Sequence, residues 1–399
     1  TMFNIFNKFN IEVWGRLVTI FSSLGSLIFL YLLTKKYLGV RIGSLTAFFF
    51  AFLPYNIYYS RTILPDPSMV MAILAGIYFF DRWVDEISNL KSQISNINLK
   101  TQIFYGLAIL FTASAFLIKP FALFFTLPMI YLAFRKWGIK SLINPQLWLF
   151  MILTLAPLIF WRNWIQQFPE GIPASSWLFN EGNIRFKGAF FYWIFADRIG
   201  RLILGYWGIA LLILGLARKI EKKEGLFFWS FIISSLLYLV VMAGGNVKHD
   251  YYQILIVPTL AVFLAKGVDF LLVAPKEYLS KTICYLLFAI CYLFMFGFSW
   301  YFIRDYFNIN NSAIVSAGKI VDQLTPKDAK VIAPYGGDTA FLYQTNRQGW
   351  PVFDRPIEKF KESGANYLII ANPTKSDFEG FGKMLSIVAS SKDYLLLAL

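Results

Sequence analysis

Residues Ile283–Ile303 read ICYLLFAICYLFMFGFSWYFI, an unbroken apolar run without a single Asp, Glu, Lys, Arg or His. About 20 mostly apolar residues are enough to cross the hydrocarbon core of a bilayer as a helix. The run before it, Ile254–Val273 (ILIVPTLAVFLAKGVDFLLV), carries only Lys266 and Asp269 as charges. Further upstream the same character recurs at Leu17–Leu33, Leu45–Tyr59, Ser68–Val84, Ile103–Ile118, Phe121–Phe134, Leu147–Trp161, Leu202–Ala217 and Leu226–Ala243. The pattern predicts about ten transmembrane helices.

Composition agrees. Of 399 residues, 57% are hydrophobic, 19% aromatic and 15% charged, against about 25% charged in an ordinary soluble domain. The mean hydropathy is +0.56. Cys284 and Cys291 lie within one apolar run, a spacing that gives neither a disulfide framework nor a zinc site. The formal charge of +14 does not point to nucleic acid: from Asp305 onward acids and bases roughly cancel, so the excess lies among the spans, where it reports topology.

Alternate connections differ in basic content. One set holds Lys35, Lys36 and Arg41; Arg82, Lys91 and Lys100; Arg135, Lys136 and Lys140; Arg218, Lys219, Lys222 and Lys223; Lys276 and Lys281. The positive-inside rule makes this set cytoplasmic and the other extracytoplasmic. Both chain ends then lie outside. The sequence opens Thr1-Met2 with no charged leader, so the expectation is an amino-terminally truncated chain whose first span and first outer loop precede it. Tyr55, Tyr58 and Tyr59, Trp161 and Trp164, Tyr251 and Tyr252, and Trp300 and Tyr301 fall at outer span ends, where an interfacial aromatic belt is the simplest reading.

After Ile303 the character changes. Ala329–Ala333 and Asn366–Ile370 read as short buried strands. Ala313–Leu324, stopping before Thr325-Pro326, reads as an amphipathic helix, as does Pro356–Ser363. Gly336-Gly337-Asp338 reads as a turn, with no glycine-rich phosphate fingerprint around it. The expected fold class is therefore an all-α polytopic membrane protein, residues 1–303, with a small C-terminal extracytoplasmic α/β domain, residues 304–399.

The outer connections hold the residues able to do chemistry. In Arg61-Thr62-Ile63-Leu64-Pro65-Asp66-Pro67 the prolines place Asp66 at a helix start, where it either caps the helix or stands as a carboxylate beside a cation. Lys119, in a tight turn, either snorkels or binds an anion. Arg162, Arg185, Lys187, Arg198 and Arg201 occupy a long aromatic-rich outer connection, which is either a solvated loop or suited to an acidic head group. Lys248-His249-Asp250-Tyr251-Tyr252 contains the chain's one histidine, which without a visible partner is a weak metal ligand. Lys266 and Asp269, a helical turn apart, read as an ion pair.

Taken together, Trp14-Gly15-Arg16-Leu17, Tyr31-Leu32-Leu33 before Lys35-Lys36 and Gly39, Tyr59-Ser60-Arg61, Pro65-Asp66, Ile118-Lys119-Pro120, Pro157 with Trp161-Arg162-Asn163, and His249-Asp250-Tyr251-Tyr252 before Pro258 resemble the GT-C membrane glycosyltransferases. Within them the resemblance is to the protein O-mannosyltransferase and aminoarabinose-transferase branch. It implies inverting transfer of a sugar from a polyprenyl-phosphate donor to a lipid, protein or glycan acceptor at the extracytoplasmic face of the plasma (inner) membrane. It implies Asp66 and Arg61 at the catalytic rim, and Lys119, Arg162, Arg185, Lys248, His249, Tyr251 and Tyr252 around the lipid phosphate. The family's principal carboxylate belongs to a first outer loop that this sequence does not contain. No nucleic acid partner is expected, no metal ligand set is assigned, and a divalent metal stays open as a cofactor. The rival readings are a lipid or sugar transporter or flippase, and a lipid-linked glycan polymerase or ligase. Transporters place charges near the bilayer midplane and repeat their halves, and neither feature is visible here.

Overall fold

The computed structural model describes residues 11–89, 99–169, 175–273, 280–308 and 311–399. Lys91 and Lys276 of the basic turns, and the opening Thr1-Met2, lie outside the described residues. The chain divides into two compact units, Thr1–Tyr306 and Phe307–Leu399.

The first unit is helical and builds a multi-pass membrane protein. Five described helices are long and apolar enough to cross a membrane, or six if one sharply bent pair counts as a span. Several of the ten predicted stretches take a form hydropathy cannot convey. Leu17–Leu33 and Leu45–Tyr59 both draw on the helical run Ile11–Phe52, two helices joined at Gly39, where the backbone turns back with φ 85°. The reversal is tight: a Cβ on Gly43 would stand 3.1 Å from the Lys35 amide nitrogen. Phe121–Phe134 is a 3-10 turn, Pro120–Thr126, running into the helix Leu127–Trp137. Leu202–Ala217 is broken, because Gly188–Ile203 and Gly208–Ala217 meet at 110°. Gly205 and Tyr206 carry positive φ at that break.

Val257–Val273 is the centre of the unit, with almost every side chain buried. It crosses Gly208–Ala217 at glycines from both helices. A Cβ on Gly215 would stand 1.8 Å from the Phe263 carbonyl oxygen, and one on Gly267 1.9 Å from that of Leu211. Only hydrogen side chains let two backbones approach so closely, the small-residue packing characteristic of membrane helices. Asp66–Asn89 packs along Leu99–Ile118 and Ile11–Phe52. Pro145–Ile165, by contrast, exposes Leu149, Ile152, Ile159 and Phe160, an apolar surface that water would penalise and lipid would not.

The expected pairing of Lys266 with Asp269 is not observed. Lys266 Nζ lies 2.5 Å from Glu224 Oε1, and both side chains are fully buried. Asp269 instead receives Arg218 at 3.1 Å and Arg41 at 3.4 Å. Lys266 and Glu224 satisfy each other in the interior, while Asp269, itself buried, is taken by arginines from neighbouring segments. Cys284 and Cys291 are both free thiols.

The second unit is an α/β domain around a five-stranded sheet whose strands lie side by side in the order Gln348–Trp350, Lys330–Ile332, Tyr367–Ala371, Tyr394–Ala398 and Ser386–Ser390. Its strands are β1 (Lys330–Ile332), β2 (Gln348–Trp350), β3 (Tyr367–Ala371), β4 (Ser386–Ser390) and β5 (Tyr394–Ala398). β1 lies parallel to β2 and β3, while β5 runs antiparallel to β3 and β4. Alternation along the strands sends Val331, Ile369 and Leu396 to one face, against Ile314, Val321 and Phe341. Ile332, Leu368, Leu395 and Leu397 go to the other face, against Phe360. The predicted helices are observed as Ser312–Leu324 and Ile357–Glu362. Gly336 and Gly337 have φ of 60° and 87°, and Asp338 Oδ1 accepts the Ala340 amide at 2.8 Å, so this segment is a turn.

Candidate functional site

Pro65 and Pro67 bracket Asp66 at the first turn of Asp66–Asn89, a position whose free amides and dipole favour a negative charge. Lys119 precedes Pro120 and is extended, φ −151° and ψ 124°, as a residue before proline must be. These two short breaks meet. Lys119 Nζ donates to Asp66 Oδ1 at 2.9 Å and Oδ2 at 2.8 Å. The Asp66 carboxylate is 2% exposed and the Lys119 side chain 18%. Burial pushes the Asp66 carboxyl above its usual range, and the Lys119 ammonium pulls it partly back.

Aromatic rings close over the ammonium. Its nitrogen lies 4.8 Å from the ring centre of Tyr252, 5.4 Å from Tyr251 and 5.9 Å from Phe121, within cation–π range. The His249 ring stands 5.2 Å from Tyr251, 5.3 Å from Tyr252 and 5.4 Å from Trp177. Its pKa is lowered, first by burial, then by the nearby cations Lys119, Lys248 and Arg198, with Asp250 opposing them. Lys248 pairs with Glu181 and lies 5.4 Å over the Trp177 ring, which joins it to His249.

Asp66, Lys119, Tyr251, Tyr252 and His249 therefore form one contiguous group, with Lys248 at its edge. Arg61 is exposed, and its carbonyl accepts from Arg16 at 3.0 Å. Arg185 donates to the Val241 carbonyl at 3.1 Å. Arg162 is exposed in the last turn of Pro145–Ile165, without a contact to this group among the described residues. No three of the described His, Cys, Asp and Glu residues come together as a metal-holding group.

Other residues gain a place that their sequence context did not give them. Asp250 accepts the Tyr59 hydroxyl at 2.8 Å and the Tyr306 hydroxyl at 2.6 Å, one on each carboxylate oxygen. Its backbone carbonyl accepts from Tyr55. Tyr55 and Tyr59 are buried and so depart from the interfacial belt expected of them; their spacing resembles a belt until the buried hydroxyls are matched to an acceptor. Asp197, also buried, takes Arg198 and Arg201 at 2.6 Å each. It lies inside a helical segment of the π type, a rare conformation often found at functional sites, for which sequence pattern gives little warning.

Comparison with known proteins agrees with this architecture. Residues 4–172 match the family described as dolichyl-phosphate-mannose-protein mannosyltransferase. No curated protein matches the chain. Among solved structures, ArnT from Cupriavidus metallidurans superposes with a TM-score of 0.61 at 12% identity, over 96% of this chain and 83% of that one, in its apo state. The structure of that protein bound to undecaprenyl phosphate gives the same values. The Archaeoglobus fulgidus oligosaccharyltransferase in its apo form superposes with a TM-score of 0.52 at 11% identity, over 92% of this chain and 59% of that one. Identities this low speak to fold, and the fold is GT-C, as the sequence motifs indicated.

Proposed function

We propose that the chain is a glycosyltransferase that moves a sugar from a polyprenyl phosphate to an acceptor hydroxyl, at the extracytoplasmic face of the plasma (inner) membrane. The observation that carries this reading is the Lys119 ammonium, held on a buried carboxylate beneath two tyrosine rings. In the reaction the acceptor oxygen bonds to the anomeric carbon as the bond from that carbon to the phosphate oxygen breaks. The acceptor proton passes to a carboxylate, and negative charge grows on the departing lipid phosphate.

Lys119 suits the phosphate. An ammonium has three N–H donors; two face Asp66, leaving one for a phosphate oxygen. A fixed cation in a dry site stabilises such a charge far better than one in water. The role assigned to Asp66 is to hold and aim the Lys119 ammonium. Lys248 and His249 complete the rim, with Tyr251 and Tyr252 as walls for the donor. An apolar cavity of about 370 Å³, lined by Phe116, Leu123, Met129, Phe134, Phe150 and Met151, draws on residues either side of Lys119 in the chain and suits isoprene units. Support for the donor class comes from the mannosyltransferase-family match over residues 4–172 and from the undecaprenyl phosphate bound by ArnT.

The test is sugar transfer in proteoliposomes supplied with polyprenyl-phosphate sugars and acceptors of lipid, protein and glycan type. Transfer by the parent chain and its loss in Lys119→Met support the reading. Binding of polyprenyl phosphate that survives Lys119→Met unchanged would remove the central residue and the proposal with it.

A further inference from the structure

The segment Asn246–Gln253 is held by side chains, not by regular secondary structure alone. The Asn246 carbonyl accepts from Gln253 Nε2 at 3.0 Å. The Val247 carbonyl accepts from Arg198 at 3.1 Å, and Arg198 is itself set by the buried Asp197. The Asp250 carbonyl accepts from Tyr55, and the Tyr252 carbonyl from Tyr238 at 3.2 Å. This segment carries His249, Tyr251 and Tyr252, so its backbone position decides where the rings over Lys119 stand.

Within the segment, the Asp250 side chain also ties two distant parts of the helical unit together. Tyr59 comes from the short helix Pro54–Tyr59, directly before Ser60 and Arg61. Tyr306 comes from beyond the last long helix, Lys281–Ile303. Each donates to a different oxygen of the same carboxylate. Both oxygens of this carboxylate are engaged by phenols from separate elements. It is well placed to fix the angle at which the next two residues, Tyr251 and Tyr252, meet the ammonium.

We infer that Asp250 is a positioning residue for the Lys119 phosphate site: it ties Tyr59 and Tyr306 to the Asn246–Gln253 segment, and so sets the donor-binding geometry without taking part in proton transfer. This rests on the glycosyl-transfer reading for its catalytic readout, although the tie itself is independent of that reading.

The experiment uses the full chain in detergent and in proteoliposomes, comparing Asp250→Asn, Asp250→Ala, and Tyr59→Phe with Tyr306→Phe. Asparagine keeps one acceptor oxygen and the shape of the side chain. A positioning role predicts that Asp250→Asn raises KM for the polyprenyl-phosphate donor about tenfold or more while lowering kcat less than about threefold. Asp250→Ala should be worse in KM, and the double tyrosine variant, which also cuts both hydrogen bonds, should match Asp250→Ala. Adding Asp250→Asn to the double tyrosine variant should cost nothing further, because the same tie is already cut. A kcat lowered a hundredfold or more in Asp250→Asn, with donor KM unchanged, would make Asp250 the base and overturn the inference. Should the parent transfer no sugar at all, amide hydrogen exchange of Pro54–Tyr59 decides. Faster exchange in Asp250→Asn supports the tie even as the proposed reaction fails, and unchanged exchange overturns it.

Discussion

Lys119 and Asp66 form a two-point contact, both carboxylate oxygens lying within 2.9 Å of one ammonium nitrogen. Neither residue is in a regular helix interior. Each sits at a proline-marked break, and the pairing of these breaks joins the starts of Asp66–Asn89 and Pro120–Thr126. The pair therefore has a structural and a chemical side, which variants can separate.

Removing Lys119 leaves a buried carboxylate without its cation. Lys119→Met should cost about 3 kcal/mol at neutral pH, the usual penalty for breaking a largely buried pair. The Asp66 pKa is already raised by burial, so its contribution to stability is present at low pH and is lost as pH rises through the folded value. The Lys119→Met penalty should shrink on acidification, as Asp66 takes up a proton. Asp66→Asn combined with Lys119→Met should recover much of the loss at neutral pH. Thermal melts in detergent across pH read all of this; a penalty independent of pH would refute it.

His249 makes the opposite prediction. Its pKa is lowered from 6.5 by burial and nearby cations, so the neutral ring contributes stability that is complete above that value and is lost as pH falls. Between about pH 7 and about pH 5, the melting temperature of His249→Phe should fall less than that of the parent. Equal falls would mean that the ring protonates as it does in water.

The glycine crossing should be intolerant. Gly215→Ala or Gly267→Ala places a methyl group inside a carbonyl contact of 1.8 or 1.9 Å, so the helices must separate. Each substitution should cost on the order of 1–3 kcal/mol and lower the yield of folded protein. Gly297→Ala, where no atom lies within 4 Å of the new methyl, is the control and should leave the melting temperature unchanged or raised.

The fully buried pair of Lys266 and Glu224 should show strong coupling. Lys266→Met alone should cost about 3–5 kcal/mol, and so should Glu224→Leu, whereas the two together should return to within about 1 kcal/mol of the parent. Additive losses in a double-mutant cycle would show that each residue acts through other contacts.

Much of this architecture is legible in the sequence, because a membrane imposes strong rules. Apolar length marks the helices, and a change of period after Ile303 marks the α/β domain. The strands near Ala329–Ala333 and Asn366–Ile370 were visible because they are apolar and bounded by turns. β2, Gln348-Gly349-Trp350, has no such pattern, and β4 holds serines at both ends, so tertiary pairing rather than propensity makes them strands. At the candidate site, Asp66, Lys119 and the His249 cluster stand out as polar residues in short breaks. What the sequence withholds is partnership: nothing local links Asp250 to Tyr59 or Tyr306, or moves Lys266 from Asp269 to Glu224. Such pairings are set by which helices cross and at what depth, and that depends on small-residue contacts such as Gly215 with Gly267.

The reversal at Gly39 has a practical corollary. The two arms of Ile11–Phe52 meet without a linker, Gly43 against the Lys35 backbone, so the hairpin has no slack to absorb added length. An epitope tag or reporter inserted between Lys36 and Arg41 would pry the arms apart before reporting which side of the bilayer it faced. The turn from Lys219 to Lys223 is exposed along its length and is the better place to put a label.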